Sequence, residues 1–277
     1  TQPTDDENHL LEMERILKEL MEIADPLIEK GDHLTLPSAI KLAAEISWKI
    51  FETKPAAVVS WFPAIDRGIV NCREGLRTHD RSILGMELLR GVHKYHHGRA
   101  LTADNRHTEA NTTFAAAIQI INQVVSLQPQ NRIAVLELGR VSEAATQSLM
   151  KVGDYQQAQK ILDASLMRVS KTLQTDPTDN ELRKRVIEWF CLYGEISCHI
   201  EDWDWATRAY ATAAGDCKLF SNPSPELSRW LYEKRKHALQ ELLEIIDKSA
   251  MAADRANFEK NLERWPAEYA QWFNVNR

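Results

Sequence analysis

Apolar residues recur at spacings of three and four along almost the whole chain, the mark of amphipathic helices. The spacing predicts a first helix from about Asp6 to Lys30, with Leu10, Leu11, Ile16, Leu17, Leu20 and Ile23 near one stripe. Pro26 should kink or end it, and Gly31-Asp32 should close the segment. A second helix runs from near Pro37, a favoured first-turn residue, to Thr53. A third, from about Pro55 to Gly75, contains Pro63 and should bend or split there. A fourth covers Asp80 to His97, after which the polar stretch Gly98 to Arg106 reads as a loop. A fifth, His107 to Leu127, is rich in Ala and Ile. More helices are expected near 131–151, 155–174, 179–199, 203–219, 225–250 and 254–264. Beyond them, a Trp265-Pro266 break and the aromatics Tyr269, Trp272 and Phe273 resemble a cap on the last layer.

The second half of the chain is periodic. Pro129, Pro177 and Pro225 stand 48 residues apart, each after a helix end and before a helix start. Midway between them lie two matching turns, also 48 apart: Gly153-Asp154-Tyr155 and Glu201-Asp202-Trp203, followed by Ala158 and Ala206. Prolines and turns that keep one phase are hard to obtain by chance.

These turns resemble the tetratricopeptide repeat, whose turn reads Gly-Asp-Tyr-x-x-Ala and whose first helix carries a small residue where its partner crosses. The unit at 187–213 matches best, with Phe190, Tyr193, Gly194, Trp203, Ala206, Tyr210 and Ala213. The unit at 139–165 matches at Gly153, Tyr155, Ala158, Leu162 and Ser165, but has Thr146 at the small-residue position. Ala117, Ile121, Val124 and Pro129 form a fragment of a third. Small residues let two helices approach, Tyr155 or Trp203 plugs the gap beside the turn, and proline stops the second helix. The period departs from the family's length of about 34. Two extra turns per helix account for most of the difference, giving helices of about 20 residues or roughly 30 Å. Long units of this kind are similar to repeats attached to bacterial serine/threonine kinases and other multidomain signalling proteins.

The expected fold is therefore all-α, a right-handed α-solenoid of antiparallel helix pairs with about 10–12 helices. Residues 1–105 form an N-terminal helical region without a clear repeat motif, and 106–277 the repeat region with a C-terminal capping helix. The resemblance implies a concave surface lined by the first helix of each pair, where a protein or peptide partner lies. Its groove positions fall on Arg140, Glu143, Gln147, Glu188, Glu195 and Lys236. Their mixed signs argue against a basic clamp for a C-terminal carboxylate.

Composition narrows the function further. The 277 residues are 44% hydrophobic and 27% charged, which excludes wholesale disorder, and the sparse Gly and Pro, ten each, exclude the turn-rich all-β classes. Net charge is −6, with a pI near 5.9, so no nucleic-acid partner is expected. Arg183-Lys184-Arg185 and Lys234-Arg235-Lys236 read as solvated helix faces. Cys72, Cys191, Cys198 and Cys217 make no zinc spacing and read as buried thiols of a reducing, cytoplasmic setting. No signal peptide or membrane-spanning run is visible, and the opening Thr is what an excised piece of a longer protein would show.

The densest chemistry is His93-Lys94-Tyr95-His96-His97, with His79-Asp80 upstream and His107 downstream. On a helix, His93 lies one turn from His96 and His97, so imidazoles there are the candidates for holding a metal. Arg73 to His79 and Arg90 to His96 also match a loose spacing seen in helical ribonucleases. No phosphate loop, dinucleotide fingerprint, HExxH or GxSxG is present, so no cofactor is implied. Trp203, Trp205, Trp230 and Trp265 are expected to pack in cores, while Trp48 and Trp61 have no assigned place. Three readings result. The first is a non-catalytic scaffold or regulatory module, the second a metal hydrolase or ribonuclease around His79 to His107, and the third a small-ligand sensor domain of a larger signalling protein.

Overall fold

Helices of the expected lengths form almost wherever the three-four spacing places them. The computed structural model describes residues 5–30, 36–54, 58–74, 81–217, 220 and 224–264. The chain forms two compact units, Thr1–Val152 and Gly153–Arg277. The first holds α1 (Asp5–Lys30), α2 (Leu36–Thr53), α3 (Phe62–Glu74), α4 (Arg81–Ala103), α5 (His107–Leu127) and α6 (Arg132–Lys151). The second holds α7 (Tyr155–Thr175), α8 (Asn180–His199), α9 (Trp203–Asp216), α10 (Pro225–Ile245), two short 3-10 turns and α11 at 255–264. There is no strand among the described residues, and no helix long and apolar enough to cross a membrane.

In the first unit each helix packs against the next, and α1 also meets α3, α2 meets α4, and α4 meets α6. This consecutive packing is compatible with a helical repeat. One core joins Leu17 and Met21 of α1 to Ile40, Ala43 and Phe51 of α2 and to Phe62, Ile65 and Ile69 of α3. The second unit packs α7 on α8, α8 on α9 and α9 on α10. Its core centres on Ile187, Ala206, Tyr210, Leu231, Leu239 and Leu242, and Phe258 and Leu262 of α11 close over it.

The 48-residue phase is a property of the backbone. Asn105, Gly153 and Glu201, each 48 from the next, are the residues with positive φ among those described, at 60°, 78° and 60°. Each ends a helix in the left-handed conformation that lets the chain reverse. The hydrogen bonds repeat as well: Arg106 N donates to Leu101 O at 2.8 Å, and Asp202 N donates to Ser197 O at 2.9 Å. Columns at the same phase are buried, such as Ala110, Ala158 and Ala206, or Ile121, Val169 and Cys217. Helix starts follow suit: Asn131 and Asp179 cap Ala134 N and Leu182 N, and Asp154 and Asp202 cap Gln157 N and Trp205 N. The periodicity thus reaches back to the α4–α5 turn at Asn105, beyond the α5 fragment read from the sequence.

Several expectations are corrected. The stretch Gly98 to Ala103 is helix rather than loop, because the Phe114 ring lies where a Gly98 Cβ would stand, 2.6 Å away, and Ala100 and Leu101 are buried beside it. That contact repeats 96 residues on, where Tyr210 covers Gly194 at the same 2.6 Å. The helix expected from Pro55 is broken, as anticipated, next to Pro63: 59–61 is turn, and Pro63 is the second residue of α3, where its missing N–H has no intrahelical partner to lose. Helix α1 continues past Pro26 to Lys30. Pro225 keeps the proline phase but opens α10 behind the Ser224 cap, whereas Pro129 and Pro177 sit in turns. The helix expected to reach 250 gives way at Ile245 to a 3-10 turn, held by Arg255 donating to Asp247 at 2.6 Å. Arg235 is buried rather than solvated, and Trp205 is 51% exposed rather than packed in a core. Gly31-Asp32, Pro55, Gly75, His79, Asp80 and everything from Trp265 on, with its aromatic tail, lie outside the described residues.

Candidate functional site

The first unit has an apolar groove of about 680 Å3 walled by α2, α4 and α6. From α2 come Pro37, Lys41, Glu45 and Trp48, whose spacing keeps them on one helix face. Helix α4 supplies Gly85, Met86, Leu88, Leu89 and Val92, and α6 supplies Ile133 and Glu137. Ile133 is 63% exposed on the rim. The volume falls within the roughly 300–1,000 Å3 of small-molecule pockets. Gly85 is notable: it is exposed in the body of a helix, where it costs about 1 kcal/mol against Ala, and a Cβ there would meet nothing within 4 Å. A glycine in a groove wall admits close approach by whatever lies in the groove.

Trp48 is held firmly. Its indole N–H donates to His93 Nδ1 at 3.3 Å, and His93 Nε2 lies 3.1 Å from the Phe62 carbonyl. An indole N–H can only donate, so His93 must accept at Nδ1 and carry its proton on Nε2. This neutral imidazole ties α2, α3 and α4 together, and burial pushes its pKa down to about 4. His96 stacks on Trp48 at 4.7 Å, and burial, with Arg99 nearby, pushes it down to about 3. His97 stacks on Phe62 at 5.0 Å, and burial lowers it to about 4. His93 has both nitrogens engaged, while His96 and His97 lie on different aromatic faces. Among the described residues no group of three or more His, Cys, Asp or Glu is placed to hold a metal ion.

Charges tie α3 to α4. Asp66 of α3 accepts from Lys94 at 2.9 Å and Arg90 at 3.2 Å on α4. Burial opposes its ionisation, but the two cations prevail and hold its carboxyl below the usual value. Arg99 lies over the Phe51 and Tyr95 rings at 4.8 and 5.6 Å.

Of the groove residues mapped from the repeat resemblance, Arg140, Glu143 and Gln147 lie on α6 of the first unit. Arg140 is exposed and donates to Glu137 at 2.8 Å, on the same helix face as Ile133 and Glu137. Glu188 and Glu195 on α8 and Lys236 on α10 belong to the second unit; Glu188 pairs with Arg185 at 3.4 Å, and Glu195 and Lys236 are exposed. The walls on α2 and α4 escaped the sequence reading. One signal was present: apolar residues run all around α4 instead of along one stripe, as in a helix with apolar neighbours on more than one side. The four cysteines are free, and burial raises each thiol, Cys72 and Cys191 to about 11 and Cys217 to about 12. Comparison with known proteins finds no matching family model and no significant match among curated proteins.

Proposed function

We propose that the chain is a non-catalytic interaction module, built from helix pairs of the tetratricopeptide-like kind, that binds the apolar face of a peptide or partner helix in the groove between α2, α4 and α6. The observation that carries this reading is the groove itself: three walls of Trp48, Met86, Leu88, Leu89, Val92 and Ile133, with Gly85 opening one of them. An amphipathic helix places anchors at i, i+3, i+4 and i+7, which suits an apolar trough bordered by charges such as Lys41, Glu45 and Glu137. Arg140 shares the α6 face of Ile133 and Glu137. Scaffolding or regulation of a larger signalling protein is the role such a module would serve. The groove's volume also favours a second reading, a small apolar ligand, in line with a sensor domain.

The test is to pan a displayed library of random peptides against the chain and measure the enriched sequences by calorimetry. Enriched peptides should carry apolar residues at helical spacing. Gly85→Leu, which fills the groove without touching the core, should weaken them by about ten-fold or more while helicity by circular dichroism stays unchanged. Enriched peptides that bind Gly85→Leu and Val92→Glu as well as the parent would remove the groove from consideration. Loss of binding instead in Glu188→Ala, Glu195→Ala and Lys236→Ala would move the site to the second unit.

A further inference from the structure

The second unit has a small pocket of about 140 Å3 between α7, α8 and α9, independent of the groove above. Phe190 and Tyr193, one turn apart on α8, form one wall, and Trp205 at the start of α9 forms another. The Tyr193 and Trp205 rings stand 6.1 Å apart at 50°, a wedge and not a stack. Asp163 of α7 lines the pocket and is exposed to solvent. It also lies close enough to the Tyr193 hydroxyl to help burial raise that group's pKa.

The walls are fixed in advance. Gln159 donates to the Tyr193 hydroxyl at 2.9 Å, which sets the ring from its far end. The Trp205 backbone N–H donates to Asp202 at 3.2 Å, anchoring the first turn of α9. Yet Trp205 leaves half its surface in water, an expense that core packing does not explain. What it already attracts is telling: the Arg208 guanidinium stands over its ring at 5.7 Å. Aromatic faces draw cations through their quadrupole, tryptophan most strongly, and a nearby carboxylate adds to the attraction.

We propose that Phe190, Tyr193, Trp205 and Asp163 form a binding site for a methylated ammonium group, whether in a small quaternary amine or on a methylated lysine side chain. The pocket suits a head group in size, and its rings match the diffuse charge of a cation that cannot donate hydrogen bonds. Unmethylated lysine is held less well, because the rings offer no acceptors to replace the water stripped from its three N–H donors. Arg208 competes for the Trp205 face, so its removal improves binding.

The experiment follows tryptophan fluorescence and nuclear magnetic resonance shifts of the full chain at constant ionic strength. The probes are choline, its neutral isostere 3,3-dimethylbutanol, and a short peptide carrying either trimethyl-lysine or lysine. Choline should bind about ten-fold more tightly than the neutral isostere. Trp205→Ala should abolish the difference, Asp163→Asn should reduce it several-fold, and Arg208→Ala should tighten choline binding. A trimethyl-lysine peptide that outbinds both choline and the lysine peptide identifies a side-chain source; choline binding alone identifies a small amine. All three positions are solvent-exposed, and circular dichroism checks that each variant folds. Equal binding of choline and its isostere, unchanged binding in Trp205→Ala, or no binding of any probe overturns the proposal.

Discussion

Gly194 shows how much one missing methyl group matters. A Cβ there would stand 2.6 to 2.8 Å from three atoms of the Tyr210 ring, and a ring boxed in by Ala206, Ala213 and Leu239 has little room to retreat. Gly194→Ala should cost about 1–3 kcal/mol in urea unfolding. Adding Tyr210→Leu should recover part of that, so that the double variant is less destabilised than the sum of the singles. Strict additivity would mean that the close contact contributes nothing. The position was legible from the sequence as a small residue in a repeat. Its counterpart Gly98 was not, because a glycine between polar residues reads as a loop until the Phe114 ring is seen to cover it. Thr146 occupies the same phase in the middle unit and is buried, so the position does not demand glycine in every repeat.

The connections between helices obey the phase more strictly than the helices do. Glu201 pays for its positive φ with side-chain strain that Gly153, at the same point of its own turn, avoids. Glu201→Gly should therefore stabilise the chain by up to about 1 kcal/mol, and Gly153→Ala should destabilise it by a similar amount. Thermal melts that move the same way for both would refute the equivalence of the two turns. Asp202 caps the helix that follows, and Asp202→Ala should cost about 1 kcal/mol by the same measurement. Turn chemistry of this kind is local, which is why Asp154 and Asp202 were readable without a structure. The end of α10 was not, since the change to a 3-10 turn depends on Arg255 reaching back to Asp247 and the Leu243 carbonyl.

At the scale of the whole molecule, the first unit should be acid-sensitive through its histidines. His93, His96 and His97 are held neutral, with pKa values lowered to about 4, 3 and 4, while an unfolded chain would titrate them near 6.5. The unfolded state then binds more protons between those limits, so stability is full above about pH 6.5 and falls as pH drops toward 4. Each histidine contributes a slope of at most about 1.4 kcal/mol per pH unit, less where it is partly exposed. Hydrogen exchange of α2 to α4 should accelerate across that window, and His96→Phe should flatten part of the loss. Exchange that stays constant from pH 6.5 to 4.5 would rule this out. By itself the sequence determined the all-helical class, the 48-residue period, the two matching Asp-aromatic turns and the crowding of histidines on one helix. Those features rest on local backbone chemistry and on the three-four spacing of apolar residues. Only the tertiary structure decided that His93 is a neutral strut between Trp48 and Phe62, that Gly98 belongs to a helix, and that α2 and α4 wall a groove. Each depends on which side chains meet across long stretches of chain, and burial, not residue type, sets what those side chains can do.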